Sequence, residues 1–285
     1  MDFRVTLRFL RRLRDLIVEP IRAELARIQL VERESWRAML LAADRYSDTR
    51  CLTRRGYRCF SQNDEDGMID EVFRRIGTSN RFFVEFGVET GVENNTLALL
   101  LAGWRGLWIE ADPAFIDRLR VDFATALSTQ QLTLVGDLVT AENIESLFAQ
   151  AAIPNEPDLL SIDIDGNDFW VWKAISKVRP RVVVIEYNAS LGRSARVVQE
   201  YSPRSRWDGT VAFGASLAAL TDLAAEKGYS LVGCGLTGVN AFFVRNDCLD
   251  DRFLSPYTAD QHYEPPRYGP GGAGHAPRWV DLRRL

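Results

Sequence analysis

An α/β fold is predicted: a Rossmann-like sheet of seven strands, mostly parallel, closed by a C-terminal antiparallel hairpin and preceded by a helical extension. Three features of the 285-residue sequence predict it. Short apolar runs alternate with helical patterns through residues 61–250. Glycine-bearing turns follow the runs. The last two runs are separated by a link too short for a crossover, which makes them antiparallel neighbours.

Residues 1–60 form the expected extension. Leu10, Leu13, Ile17, Ile21, Leu25 and Ile28 recur at helical spacing, Pro20 is a candidate kink, and Arg4, Arg8, Arg11, Arg12 and Arg14 make the first turns basic. Such a helix suits dimerisation or docking, which would make the protein a homo-oligomer. It equally suits contact with an anionic membrane surface, or packing on its own domain. Residues 46–63 read as irregular, and Asp64 or Ser61 is placed to cap a helix carrying Met68, Ile69, Val72, Phe73 and Ile76. Phe82-Phe83-Val84 is a strand ending at Glu85, followed by Gly87, Gly91, the cap candidates Asn94, Asn95 and Thr96, and a helix with Leu97 and Leu101. Leu107-Trp108-Ile109 is the next strand and ends at Glu110.

Asp112-Pro113 opens a helix, Leu132–Val135 is a strand ending at Gly136-Asp137, and Ala141–Ala151 is a helix. Leu159–Gly166 and Arg181–Tyr187 are strands flanking a helix over Asp168–Ile175. The second run is apolar throughout, as in a strand covered on both faces. Phe213–Lys227 is a helix closed by Gly228, and Tyr229–Cys234 with Val239–Arg245 makes the hairpin. Residues 251–285 form a tail rich in Pro, Gly and Tyr.

Composition narrows the function. A hydrophobic content of 46% with 26% charged residues is that of a globular chain, and the net charge of −4 counts against a nucleic-acid partner. Cys51, Cys59, Cys234 and Cys248 show no metal-ligand spacing and read as reduced thiols. Two histidines, His262 and His275, exclude a histidine-rich metal centre. There is no membrane-spanning apolar run and no secretory h-region, so the expected location is cytoplasmic, at the inner face of the membrane if the N-terminal helix docks there.

The chemistry lies at the strand tips, where open α/β sheets bind ligands. Glu85, Glu110, Asp137, Asp163 or Asp165, and Glu186 end five successive strands. The first loop reads E-F-G-V-E-T-G, not the G-x-G-x-x-G of dinucleotide binders, and Glu85 and Glu89 would repel a pyrophosphate. A cationic ligand without phosphate fits better, and S-adenosyl-L-methionine carries a sulfonium, an ammonium and a ribose. The candidate cofactor-binding set is Ser61, Gln62, Glu85, Gly87, Gly91, Asn95, Thr96, Glu110, Ala111, Asp137 and Asp163; for Ser61 and Gln62 the competing reading is helix capping. Glu85 is placed for the ammonium, Glu110 for the ribose and Asp137 for the adenine amine, with Trp108 or Ala111-Asp112 flanking the base.

Asp163, Asp165 and Glu186 are the catalytic candidates. Two readings stand side by side. Asp165, Glu186 and Asn188 hold a hard divalent cation, magnesium, or Asp165 or Asp163 works alone as general base. Asn188, Arg206, Trp207 and Asp208 are candidates for holding the acceptor, with Tyr201 a second flat face and Arg193, Arg196 and Arg204 further cations. His262 is a base candidate only if the tail folds over the site.

Six segments, SQNDEDGMIDEVF, FFVEFGVETGVENNTLALLLAGWRGLWIEAD, LLSIDIDGNDFWVWKAI, RVVVIEYN, RWDGTVAFGASLAAL and KGYSLVGCGLTGVNAFFVR, resemble the FkbM-type class I methyltransferases over roughly residues 60–246. The resemblance implies a Rossmann-like class I methyltransferase fold. It also implies S-adenosylmethionine-dependent O-methylation of a sugar hydroxyl in a polysaccharide, glycolipid or glycosylated metabolite. Metal-using relatives carry paired aspartates after the fifth strand, where this chain has Glu186-Tyr187-Asn188. Two rival expectations are a nicotinamide-dinucleotide-binding oxidoreductase and a non-catalytic scaffold that keeps the fold.

Overall fold

The computed structural model describes residues 3–204, 207–268, 275 and 282–284, with backbone alone for 3–17 and 282–284. Two compact units make up the chain, the first running to Ser47 and the second opening at Asp48. The first holds the helix α1 (Phe3–Leu41), which runs through Pro20 without a break. The second unit contains α2 (Glu65–Ile76), β1 (Phe82–Phe86), α3 (Leu97–Leu101), β2 (Arg105–Glu110), α4 (Pro113–Asp122), α5 (Ala124–Ser128) and β3 (Leu132–Gly136). It continues with α6 (Ile144–Gln150), β4 (Leu159–Ile162), α7 (Asp168–Ala174), β5 (Val182–Glu186), β6 (Val197–Gln199), α8 (Leu217–Lys227), β7 (Tyr229–Cys234), β8 (Asn240–Arg245), α9 (Ala259–His262) and β9 (Leu282–Arg284).

The expected fold is the observed one. Seven strands form one sheet in the order β3-β2-β1-β4-β5-β8-β7. Neighbours from β3 to β5 are parallel, and β8 alone runs against the rest, inserted between β5 and β7. The chain leaves β1 towards β2 and β3, then returns to build outward from β4. The crevice beyond the tips of β1 and β4 is therefore the switch point where such sheets take ligands.

Side-chain alternation sorts the strands onto two cores. Val84, Phe86, Ile109, Ile162, Ile185 and Phe243 face one core with α6, α7 and α8. Phe83, Trp108, Leu159, Val184, Phe242 and Val244 face the other with α2 and α3. By the same alternation Glu85, Glu110, Ser161, Glu186 and Asn240 all point to the α2–α3 side.

Several expected boundaries move, each for a local reason. β4 stops at Ile162 rather than Gly166 because the Asp168 carboxylate accepts the N–H groups of Ile164 (2.9 Å) and Gly166 (2.8 Å). α6 begins at Ile144 rather than Ala141, after a reciprocal turn in which the Thr140 N–H donates to Asn143 Oδ1 and the Asn143 N–H to Thr140 Oγ1. α8 begins at Leu217 rather than Phe213, capped by the Ser216 hydroxyl, which accepts the Ala219 N–H. The pairing of β6 with β9 was not foreseen. Part of the expected tail belongs to the second unit, where Phe253, His262 and Glu264 are buried. The four cysteines are free thiols. Among the described residues no helix is long and apolar enough to cross a membrane.

Candidate active site

One rung of the sheet organises the site. Glu186 pairs with Asn240 across β5 and β8. Extending the parallel registers by one residue places Asp163 beside Glu186, Gly87 beside Asp163 and Glu110 beside Gly87. The rung thus reads Glu110, Gly87, Asp163, Glu186, Asn240 across five neighbouring strands, at the switch point. Carboxylate oxygens of Asp163, Asp165 and Glu186 lie within 4.8 Å of one another.

Such crowding has a direct electrostatic consequence. Burial, together with Asp168, Asp165 and Glu85, pushes the Asp163 carboxyl well above the usual range. Burial and the carboxylates of Asp163, Asp168 and Asp165 push Glu186 well up, and partial loss of hydration raises Asp165 although its side chain still reaches solvent. Among the described residues the buried Oε2 of Glu186 has no hydrogen-bond partner. Three like charges this close are stable only with protons or a cation among them.

Asp165 is exposed and has φ 57°, a left-handed conformation that an L side chain adopts at some cost. The Asp168 carboxylate that shapes this turn is itself raised to about 6 by burial, against the lowering effect of the N–H groups it accepts. Glu89, also at positive φ (47°), is raised by burial and by the charges of Asp165 and Glu110.

Glu110 curls over its own loop. Its Oε2 accepts the Glu89 N–H (2.7 Å), and its Oε1 accepts those of Ala111 and Asp112 (both 2.8 Å). The first loop and the β2 tip are joined through this carboxylate, whose further lone pairs can accept from a diol. Ala111 and Asp137 are exposed beside it, and the Asp137 N–H donates to the Glu110 carbonyl (3.0 Å).

Other expected site residues form the floor instead. Glu85 is 3% exposed and accepts the Asn95 N–H (2.8 Å) and the Thr96 hydroxyl. Asn95 Nδ2 donates to Ser161 Oγ (3.0 Å), and Thr96 Oγ1 accepts from Trp108 Nε1 (2.8 Å). Burial raises Glu85 to about 7, with its hydrogen bonds pulling the other way. Glu85 therefore ties the start of α3 to the sheet. Trp108 is fully buried, edge-on to Phe123, and offers no face to a base.

The two glycines serve the protein's own packing. A Cβ at Gly87 would lie 1.8 Å from the Asp163 carbonyl oxygen, and one at Gly91 would meet Leu119, Phe123 and Trp108 at 2.7–3.0 Å. Ser61 is buried and exchanges hydrogen bonds with Asp66, whose Oδ2 also accepts the N–H groups of Cys59 and Phe60; Gln62 is exposed. Ser61 caps as expected, its hydroxyl accepting the Asp66 N–H in the first turn of α2, while Asp64 makes no side-chain cap bond and the Asp66 carboxylate in turn holds the loop before the helix.

Asn188 does not join the carboxylates. Its Oδ1 accepts the Ser190 N–H and its Nδ2 donates to the carbonyls of Val211 and Phe213, which folds the β5–α8 link. Trp207 donates to the Thr210 carbonyl and meets His275 edge-on at 4.7 Å, and Asp208 accepts from Thr210. Arg206 lies outside the described residues. Arg196 pairs with Asp222, Arg193 lies over the Tyr263 ring, and Tyr201 bonds Glu142. His262 is buried in α9, which packs on β7 and α8. A cavity of about 160 Å³ near Trp172, Val178 and Lys227 lies before the start of β5, away from the carboxylates.

Two residues of the site went unnoticed in the sequence. Glu65, fully buried in the first turn of α2, accepts from Asn240 Nδ2 (3.0 Å) and from the Asn63 N–H. That bond fixes the Asn240 amide so that its Oδ1, buried and without a partner among the described residues, is the acceptor left next to Glu186. The D-E-D run before α2 was the available signal for Glu65, and it reads as helix-dipole complementation.

No protein-family model and no curated protein matches the sequence. Among solved structures the chain is similar to the pyocyanin biosynthetic protein PhzM, at 16% identity over 62% of this chain and 54% of that one, TM-score 0.38. This chain spans about half the length of PhzM. It is also similar to the N-terminal domain of EvdMO1 with SAH bound, at 15% identity over 71% of this chain and 97% of that one, TM-score 0.42. A third likeness is to the glycopeptide N-methyltransferase MtfA complexed with S-adenosyl-L-methionine, at 13% identity over 66% of this chain and 97% of that one, TM-score 0.40.

Proposed function

We propose that the protein is an S-adenosylmethionine-dependent O-methyltransferase of the FkbM type, acting in the cytoplasm on a sugar hydroxyl of a glycan or glycolipid. The observation that carries this reading is the single rung of acceptors at the switch point, with no Arg or Lys among its residues. A donor-rich cationic ligand relieves the repulsion among Asp163, Asp165 and Glu186, whereas a dinucleotide pyrophosphate would add to it.

When bound, S-adenosylmethionine supplies an electrophilic methyl group on a sulfonium. Glu110 accepts from the ribose hydroxyls, and the exposed Asp137 meets the adenine amine. Gly87 lets β1 close onto the Asp163 carbonyl at the middle of the rung, above the Glu85 floor. Asn240 Oδ1 and Glu186 orient the acceptor sugar through its hydroxyls. The reacting hydroxyl oxygen would attack the methyl carbon in line, the O–C bond forming as the C–S bond breaks and the neutral thioether S-adenosylhomocysteine departs, and the hydroxyl proton would pass to Glu186 or Asp165, whose raised affinity for protons suits a general base. Positioning supplies most of the rate. The donor set of Asp163, Asp165 and Glu186, with the unpartnered Glu186 Oε2, also fits magnesium, which would lower the pKa of a chelated sugar hydroxyl.

Calorimetric titration with S-adenosylmethionine, S-adenosylhomocysteine and NAD tests the reading. Saturable binding of the first two and none of the third is expected. Binding of NAD alone would replace it with the oxidoreductase, and no methyl transfer to any acceptor in a broad glycan screen would favour the scaffold.

A further inference from the structure

Independently of the methyl-transfer reading, α1 carries its own message. Every residue from Glu19 to Glu32 is exposed, including Ile21 (55%), Leu25 (53%) and Ile28 (47%); Met39 is 66% exposed further along. These four share one stripe of the helix. A solvated single helix gains little from its own hydrogen bonds, so an apolar stripe of this length calls for a covering partner.

The order of residues along the stripe says which partner. Stepping by three or four from Phe3 gives an apolar row through Ile21 and Met39 that is interrupted by one cation, Arg14, and one anion, Glu32, besides the amphipathic Trp36. The row mirrors itself about residue 23. Position 21 reflects onto 25, 14 onto 32, 10 onto 36 and 7 onto 39; 17 falls within one residue of 28. Two copies laid antiparallel in this register would set Ile21 against Leu25, Leu7 against Met39, and each Arg14 against the other copy's Glu32. A parallel pair would instead confront Arg14 with Arg14 and Glu32 with Glu32. Buried seam charges decide orientation in this way in helix pairs. Pro20 sits about 100° round the helix from Ile21, outside the seam, where its ring disturbs no contact.

We propose that α1 forms an antiparallel two-helix seam with α1 of a second copy of this chain, in register about residue 23. The overlap extends over roughly 55 Å of helix. Positions 14 and 32 set both orientation and register.

Sedimentation velocity of the full chain across a hundredfold concentration range tests this. The wild type is expected to be a dimer, and Leu25→Asp to raise the dissociation midpoint at least tenfold. Arg14→Glu and Glu32→Arg are each expected to weaken the dimer about as much, and the double exchange R14E/E32R to restore it. Both residue types are good helix formers, so the exchange leaves the helix intact; an unchanged thermal transition of the second unit checks that the rest stays folded. A wild type that stays monomeric overturns the proposal. So does a double exchange that fails to restore the dimer, or a monomer that instead partitions onto vesicles of anionic phospholipid.

Discussion

Gly87 and Asp163 meet where β1 and β4 end, so closely that a methyl group on Gly87 would overlap the Asp163 carbonyl oxygen at 1.8 Å. Gly87 also has φ +73°, in the region that favours glycine. Gly87→Ala is therefore expected to cost about 3 kcal/mol or more of stability and to displace Asp163. Gly228→Ala, in the left-handed region at φ 81° and ψ 35° with nothing within 4 Å of its Cβ, is the control and should cost only about 1–2 kcal/mol. Thermal melts of both variants measure the difference. Equal costs would mean that conformation, not contact, requires a glycine at 87.

The Glu110 carboxylate holds three backbone N–H groups and is the proposed ribose acceptor. Glu110→Ala should weaken S-adenosylmethionine binding by roughly 10- to 100-fold, about 1.4–2.7 kcal/mol. Isothermal titration reads this directly. Unchanged affinity would remove Glu110 from the cofactor site.

Glu85 makes a pH-dependent contribution of known sign. Its folded pKa, about 7, is above the ordinary 4.5, so the stability it contributes is full at low pH and declines as pH rises from about 4.5 through 7. Relative to Glu85→Gln, the ligand-free wild type should lose about 3 kcal/mol over that window. Denaturant unfolding of both proteins at pH 5 and pH 8 measures it; a constant difference would mean that Glu85 stays charged throughout.

Glu186 and Asp165 are the base candidates, and both titrate above their ordinary values. The ascending limb of the rate–pH profile should thus lie above the ordinary carboxylate range. Glu186→Gln and Asp165→Asn should each lower kcat by 10²-fold or more and, because each removes a carboxylate that the cationic donor meets, also weaken cofactor binding. Proton release on adding magnesium to the wild type would show that the cluster exchanges protons for a metal ion.

Asn240 touches the acceptor in the proposed arrangement, and Glu65 positions Asn240. Asn240→Ala should raise the acceptor KM about tenfold with S-adenosylmethionine affinity unchanged. Glu65→Gln should do the same to a smaller degree, because a glutamine can still accept from the Asn240 amide through its carbonyl. A change in cofactor affinity instead would place Asn240 on the donor side.

Local patterns carried much of this protein. Apolar runs such as Val182–Glu186 marked buried strands, and the link between β7 and β8 was too short for anything but antiparallel neighbours. The acids at the strand tips were visible as a set because each ends its own run. Boundaries failed where a side chain reached along the chain to take a backbone N–H: Asp168 shortening β4, and Thr140 with Asn143 delaying α6. Such bonds compete with the regular ladder and leave no periodic trace.

What the sequence alone determined is the kind of sheet, the run of carboxylates at its tips and the repeat along α1, because hydrophobic period and residue type are local properties. Only the tertiary structure decided which of those carboxylates share a space. Glu85 and Glu110 each close an apolar run in the sequence, yet in register Glu85 lies two residues short of the rung that holds Glu110: Glu85 sits beneath Asn95 and Thr96, while Glu110 gathers the N–H groups of the loop above it. Asn240 stands beside Glu186 only because β8 inserts next to β5, and Glu65 reaches it only because α2 covers that face. Neighbourhood across strands depends on sheet order and register, set by packing among residues far apart in the chain, and no short stretch of sequence contains that information.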